Sequence, residues 1–258
     1  LDARTVPWTQ VATVALLAMP CVVPQSFGAD DDAESQRAPV DDDAAESRPP
    51  SDDTMDRAAA LQALADDDVA IRRRGALRLA DIGEPADVAP LIEALRDDDP
   101  IVRAIAERSV WSLWSHSGDD EADRMLALGA EQLASQRLAD SIVVFTGIIE
   151  RWPAFAEAWN KRATAFYLAG DLDRSAADCR EVLRLNPSHF GALSGVGLIL
   201  LKRGELERAL SYFERALELN PNLSGVRSHR DAVRDELARR GRHHHPRATR
   251  SRDHAAGR

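Results

Sequence analysis

Aromatic side chains make up only 5% of the 258 residues, and cysteine occurs twice, at Cys21 and Cys179. Two cysteines cannot build the bridge framework of a small disulfide-stapled domain. There is no Gly-rich phosphate loop, no cysteine pair at metal-ligand spacing, no GxSxG turn and no HExxH helix. The seven histidines lie mostly in the tail or at helix ends, and none falls in a recognisable catalytic pattern with a Ser or carboxylate partner in sequence. No catalytic residue, cofactor site or metal site is therefore assigned, and the chain reads as a non-enzyme. The apolar run from Val11 to Met19 falls short of the ~20 residues that a bilayer-spanning helix needs. A formal charge of −10 argues against general nucleic-acid binding.

Ala, Leu and Arg dominate the periodic segments, while Gly and Pro gather at their ends, which points to an all-α protein. Pro153, Pro187 and Pro221 stand 34 residues apart, and other positions keep that step. Met125, Trp159 and Leu193 fall in one column, and Gly129, Ala163 and Gly197 in a second. Ser141, Ser175 and Ala209 form a third, and Phe145, Cys179 and Phe213 a fourth. A small residue at a fixed place lets two helices approach closely, and a large one elsewhere fills the remaining gap.

This stretch, from Ala122 to Leu223, resembles the tetratricopeptide repeat. The best copy reads GALSGVGLILLKRGELERALSYFERALELNPN from Gly191, and the copy before it reads AEAWNKRATAFYLAGDLDRSAADCREVLRLNPS from Ala156. The turns Ala169-Gly170-Asp171-Leu172 and Arg203-Gly204-Glu205-Leu206 lie where the family joins its two helices, and Gly suits the left-handed helix end there. The first copy diverges: Gln136 replaces the turn Gly, and Arg151 stands where the others have Leu185 and Leu219. Arg162 takes a place that is apolar in Leu128 and Val196. Cys179, sharing a column with two phenylalanines, reads as a packing residue.

A second period, with a step of 31, runs through residues 55–118: Leu64 matches Leu95, Asp66-Asp67-Asp68 matches Asp97-Asp98-Asp99, and Ile71-Arg72 matches Val102-Arg103. The segment LADDDVAIRRRGALRLADIGEPADVAPLIEALRDDDPIVRAIAERSV is similar to two short HEAT repeats of the kind also seen in phycobilin lyase relatives. Each Asp run is expected to end one helix and cap the next, with Pro100 at a first helical position and the aligned arginines pairing with neighbouring Asp residues. Trp111 and Trp114, three apart on one helical face, are expected to dock this pair onto the first tetratricopeptide helix in one continuous solenoid.

The ends carry opposite charge. Residues 1–28 read as an export signal, with Arg4, the apolar run and then Ser26-Phe27-Gly28 carrying small residues where a signal peptidase reads. The expected location is periplasmic or extracellular, and cytoplasmic if this segment is not a signal. Pro20 before Cys21 is a poor match to a lipid-anchor site. Residues 29–54 form an acidic linker with almost nothing apolar to bury, and its Asp clusters lack the Gly bend of a calcium loop. Residues 224–241 read as a capping helix, and 242–258 as a basic tail.

The resemblance implies a right-handed α–α superhelix, a HEAT-like pair followed by three tetratricopeptide hairpins (119–223) and the cap. Its concave side would be lined by Leu126, Ala130 and Leu133, then Asn160, Thr164 and Tyr167, then Ser194, Leu198 and Leu201. That mostly apolar groove suits a protein or peptide partner with apolar anchors. Members that hold the acidic tails of heat-shock chaperones use Asn and basic side chains here; Leu126 and Ala130 depart from that pattern. Three functions follow: an exported scaffold binding a partner in the groove, a HEAT-type enzyme accessory or lyase-like protein, and an anchor to anionic polymers through the basic tail. Self-association stays open.

Overall fold

The computed structural model describes residues 55–243. The export segment, the acidic linker and the tail beyond His243 lie outside the described residues. Eleven α-helices and no strand occur among them. In the N-terminal part, α1 (Arg57–Ala63) pairs with α2 (Val69–Ile82); a short 3₁₀ turn at Pro85–Asp87 leads into α3 (Val88–Ala94), which pairs with α4 (Pro100–Trp114). Three hairpins follow, α5 (Asp120–Ala134) with α6 (Leu138–Arg151), α7 (Ala156–Leu168) with α8 (Leu172–Leu185), and α9 (Phe190–Lys202) with α10 (Leu206–Leu219). The last helix, α11 (Ser224–His243), packs on α10.

The Asp runs do the capping that their spacing predicts. Asp68 accepts from the Ala70 N–H at 2.7 Å to start α2, and Asp99 accepts from Ile101 and Val102 at 3.0 and 2.9 Å to start α4, with Pro100 at its first position. The Arg72 guanidinium donates to both Asp97 oxygens, at 2.7 and 3.1 Å, and to the Asp66 and Asp67 carbonyls, tying the first unit to the second. Asp119 likewise caps α5.

The columns of the 34-residue step become contacts. A Cβ at Gly129 would come within 2.5 Å of the Phe145 ring, and one at Gly197 within 2.5 Å of the Phe213 ring. Where the small position is Ala163, the facing column holds the smaller Cys179. The Phe145 and Phe213 rings thus occupy the space that a side chain at Gly129 or Gly197 would need, as close packing requires. Gln136, in place of the turn glycine, has φ +59°, beside +82° at Gly170 and +76° at Gly204. Arg162 is carried by a fork to Asp178, at 2.8 and 2.9 Å, and lies over the Trp159 ring. Arg151 pairs with Glu121 and stacks over Trp152.

One expectation is overturned. The tryptophan corner does not dock on α5; it docks on the start of α9. Trp114 stacks on His189 with centroids 4.2 Å apart and meets Phe190 at 4.8 Å, and Trp111 meets Phe190 edge-on at 5.1 Å. Phe190, together with the partly buried Leu219 and Leu223, completes the N-terminal hydrophobic core. The reason lies in the arginine ladder. Arg103 repeats the role of Arg72, donating to the Asp97 and Asp98 carbonyls at 2.7 and 3.0 Å, and needs a side-chain acceptor from a following unit. That acceptor is Asn222, 3.1 Å away, whose own amide donates to the Leu95 carbonyl at 2.8 Å. Asn220 donates to Glu107 at 3.0 Å, and Arg96 reaches the Glu218 carbonyl. The end of the third hairpin therefore sits where a third N-terminal repeat would stack. Leu128 on α5 and Val143 on α6 are left 48% and 71% exposed.

Candidate functional site

The first helix of each hairpin, α5, α7 and α9, carries the nine predicted groove residues. Six of them are buried: Leu126, Leu133, Asn160, Tyr167, Ser194 and Leu198. Ala130, Thr164 and Leu201 are half-buried and form the open part of the surface. Leu126 and Leu133 belong to the core around α5 to α7, whereas Tyr167 and Leu198 belong to the core that runs from α7 to α11.

At the N-terminal rim of this surface lies a polar cluster that sequence reading missed. Glu157, fully buried, receives the His189 Nε2–H at 3.0 Å and the Asn160 amide at 3.1 Å on one oxygen, while Lys161 approaches the other at 3.2 Å. His189 accepts the Ala192 N–H on Nδ1 at 3.1 Å, capping α9, so its hydrogen sits on Nε2 and points at Glu157. Burial opposes the Glu157 charge, but Lys161 and the histidine hydrogen bond outweigh it and hold the carboxyl below its ordinary range. Trp114 roofs the histidine, and a Cβ at Gly191 would come within 2.7 Å of Trp111. A buried pair under two indoles is closed to substrate, and its geometry serves helix capping and docking.

Further along, Tyr167 is 4% exposed and burial pushes its hydroxyl up to about 12. The hydroxyl has no hydrogen-bond partner among the described residues. The Lys202 ammonium stands 3.9 Å from the centre of its ring. A small cavity of about 10 Å³, lined by Asn160, Thr164, Tyr167, Ser175, Gly191 and Gly195 among others, opens between α7 and α9. Cys179 is among the lining residues, its thiol pushed up to about 12 by burial, which removes nucleophilic character. Among the described residues, no group of three or more His, Cys, Asp or Glu could hold a metal ion, and no helix is long and apolar enough to cross a membrane.

Residues 126–189 and 191–223 each match a family described as tetratricopeptide repeat, and residues 44–111 match the HEAT repeats family. Residues 126–223 carry tetratricopeptide repeats. A TPR repeat-containing protein of Rhizobium etli is 29% identical over 126 residues, 49% of this chain and 62% of that protein. A chloroplastic tetratricopeptide repeat domain-containing protein of Arabidopsis thaliana is 27% identical over 47% of this chain and 42% of its own length. DnaJ homolog subfamily C member 3 of Homo sapiens is 30% identical over 40% of this chain and 20% of its own. The chain thus spans less than two thirds of each of these relatives. Among solved structures, the first TPR domain of Spaghetti (RPAP3), bound to an HSP90 peptide, matches with a TM-score of 0.45 and 24% identity over 46% of this chain and 96% of that one. The Sgt2 TPR domain of Aspergillus fumigatus matches with a TM-score of 0.46 and 21% identity over 54% and 93%.

Proposed function

We propose that this chain is a non-catalytic scaffold that holds a segment of a partner protein on the concave face of its tetratricopeptide array, and that it works outside the cytoplasm. The observation that carries the binding reading is the open strip of Ala130, Thr164 and Leu201 on the first helices of three successive hairpins. Around it, Leu126, Leu133, Tyr167 and Leu198 are locked in the core, so the strip is rigid and mostly apolar. A surface of that kind binds with little ordering cost of its own. The HEAT pair fixes the rim of the same face through Trp111 and Trp114, which narrows the working surface to the C-terminal half of the helices. The export part rests on the apolar run and the Ser26-Phe27-Gly28 pattern.

The test is site-specific photo-crosslinking of the full chain in its native cell. A photoreactive residue at Thr164 or Leu201 is expected to trap one discrete partner, and one at the back-face position Val143 is not. Equal trapping from all three positions, or none from Thr164 and Leu201, overturns the binding reading. For export, N-terminal sequencing of the recovered protein is expected to begin at Ala29; recovery with residues before it intact counts against that part.

A further inference from the structure

The row of hairpins is covered at one end and open at the other. At the C-terminal end α11 packs on α10. In the interior α7 packs on α6 of the hairpin before it, and α9 packs on α8. The first helix, α5, has no such predecessor: it packs broadly only on α6 and α7. The HEAT pair does not fill the place, because Asn222 and the stack of Trp114 on His189 hold it at the third hairpin. The effect shows in the column of Leu128, Arg162 and Val196. Arg162 reaches Thr146 of the preceding hairpin at 3.1 Å, and Val196 packs on the core that runs from α7 to α11. Both are half-buried, whereas Leu128 is left 48% exposed.

The residues around Leu128 are complementary to themselves. Arg124, Ala127, Leu128 and Glu131 are all exposed and share one face of α5, at the three-, four- and seven-residue spacings of a helix–helix seam. Arg124 and Glu131 stand two turns apart, about 10 Å along the axis, too far to pair within one chain. Neither side chain makes a hydrogen bond or ion pair among the described residues. Glu121, one turn before Arg124, has both oxygens taken by Arg151.

We infer that this face of α5 binds a second copy of the chain, the two α5 helices lying antiparallel about a two-fold axis. That arrangement brings Arg124 of each copy to Glu131 of the other and sets Leu128 on Ala127, whose small side chain lets the helices approach closely. The axis repeats every contact, so one seam supplies two ion pairs and two leucine–alanine contacts. A second copy carries the complementary row by construction. The contact closes on itself and gives a dimer without filaments. A single helix seam makes a dimer that forms with rising concentration, not an obligate one. Pairing of copies is tested independently of any partner on the concave face.

The experiment is sedimentation velocity on the full chain across a wide range of concentration, with thermal melts alongside. Arg124→Glu and Glu131→Arg change exposed, unpaired side chains and should melt with the parent. The parent is expected to pass from monomer to dimer. Arg124→Glu, Glu131→Arg and Leu128→Glu should each weaken the dimer about tenfold or more, since the axis makes both copies of the altered contact unfavourable at once. Combining Arg124→Glu with Glu131→Arg restores opposite charges across the seam and should recover the parent's dimer. An equimolar mixture of the two single variants should also associate, although each alone stays monomeric. A parent that stays monomeric throughout, or a double exchange no better than the singles, overturns the inference. So does a dimer indifferent to the single changes, the result expected if the oppositely charged ends of the chain hold the copies together instead. Assembly beyond the dimer also overturns it.

Discussion

Gln136 is the residue whose replacement gives the sharpest stability test. In all three hairpins the turn closes the same way: Gln136, Gly170 and Gly204 donate their N–H to Leu133, Tyr167 and Leu201. The next residues, Arg137, Asp171 and Glu205, donate to Gln132, Phe166 and Leu200 at 2.8, 2.9 and 2.9 Å. That pair of bonds requires a left-handed residue, and only the first hairpin supplies it with a side chain. The conformation costs a non-glycine residue roughly 1–2 kcal/mol. Glycine gives back about 0.4–1 kcal/mol through the greater freedom of the unfolded chain. Gln136→Gly should therefore stabilise by ~0.5–1 kcal/mol, which for a domain of this size raises the melting temperature by roughly 1–4 °C. Gln136 is exposed, so no packing contact is lost. The reverse changes, Gly170→Gln and Gly204→Gln, should lower it by a similar amount. Thermal melts followed by far-UV circular dichroism decide the matter. A neutral or destabilising Gln136→Gly, together with neutral reverse changes, would show that the left-handed turn carries no such cost here.

Other predictions concern the junction between the HEAT pair and the third tetratricopeptide hairpin. Trp114→Ala removes the stack on His189 and should cost ~3–5 kcal/mol, with the single melting transition splitting in two; an unsplit transition would mean that the halves are coupled elsewhere. Asn222→Ala strips the acceptor from Arg103 and the donor from the Leu95 carbonyl, and should lower stability by about 1–3 kcal/mol in urea titrations, while Asn222→Asp keeps the acceptor and recovers part of it. Glu107 is raised above the ordinary carboxylate range by burial, against the pull of the Asn220 hydrogen bond. Its folded-state value therefore lies above the unfolded one, so its favourable contribution is present below the ordinary range and is lost as pH rises through the raised value. Glu107→Gln should be more stable than the parent at neutral pH, with the difference vanishing in acid. Parallel stability-versus-pH curves for the two proteins would contradict that assignment.

The periodic part of the fold was legible because each repeat must make the same contact. Gly129 with Phe145 and Gly197 with Phe213 show in the sequence as columns 34 apart, and the Asp runs show as caps 31 apart. The docking of the HEAT pair was not legible in this way. Its partners, Asn220 and Asn222, lie more than 110 positions from Glu107 and Arg103, and no period links them. The one available signal was Asn222 itself, standing where the preceding repeat has Ser188. The candidate site was legible only by position. Spacing put the nine residues on one face, but the twist of the array decides which are covered, and it left Ala130, Thr164 and Leu201 open. The Glu157–His189 pair joins residues 32 apart through two hairpins and escapes any search for neighbours in sequence.

On the reading proposed above, the concave face is the working surface. Its most direct measurement is quantitative capture of partners by the full chain in parallel with Leu201→Arg and with Val143→Arg, each shown first to keep its helicity and melting temperature. One protein should be retained by the parent and by Val143→Arg and lost from Leu201→Arg. Retention by Leu201→Arg with loss from Val143→Arg would place the working surface on the opposite face and contradict it.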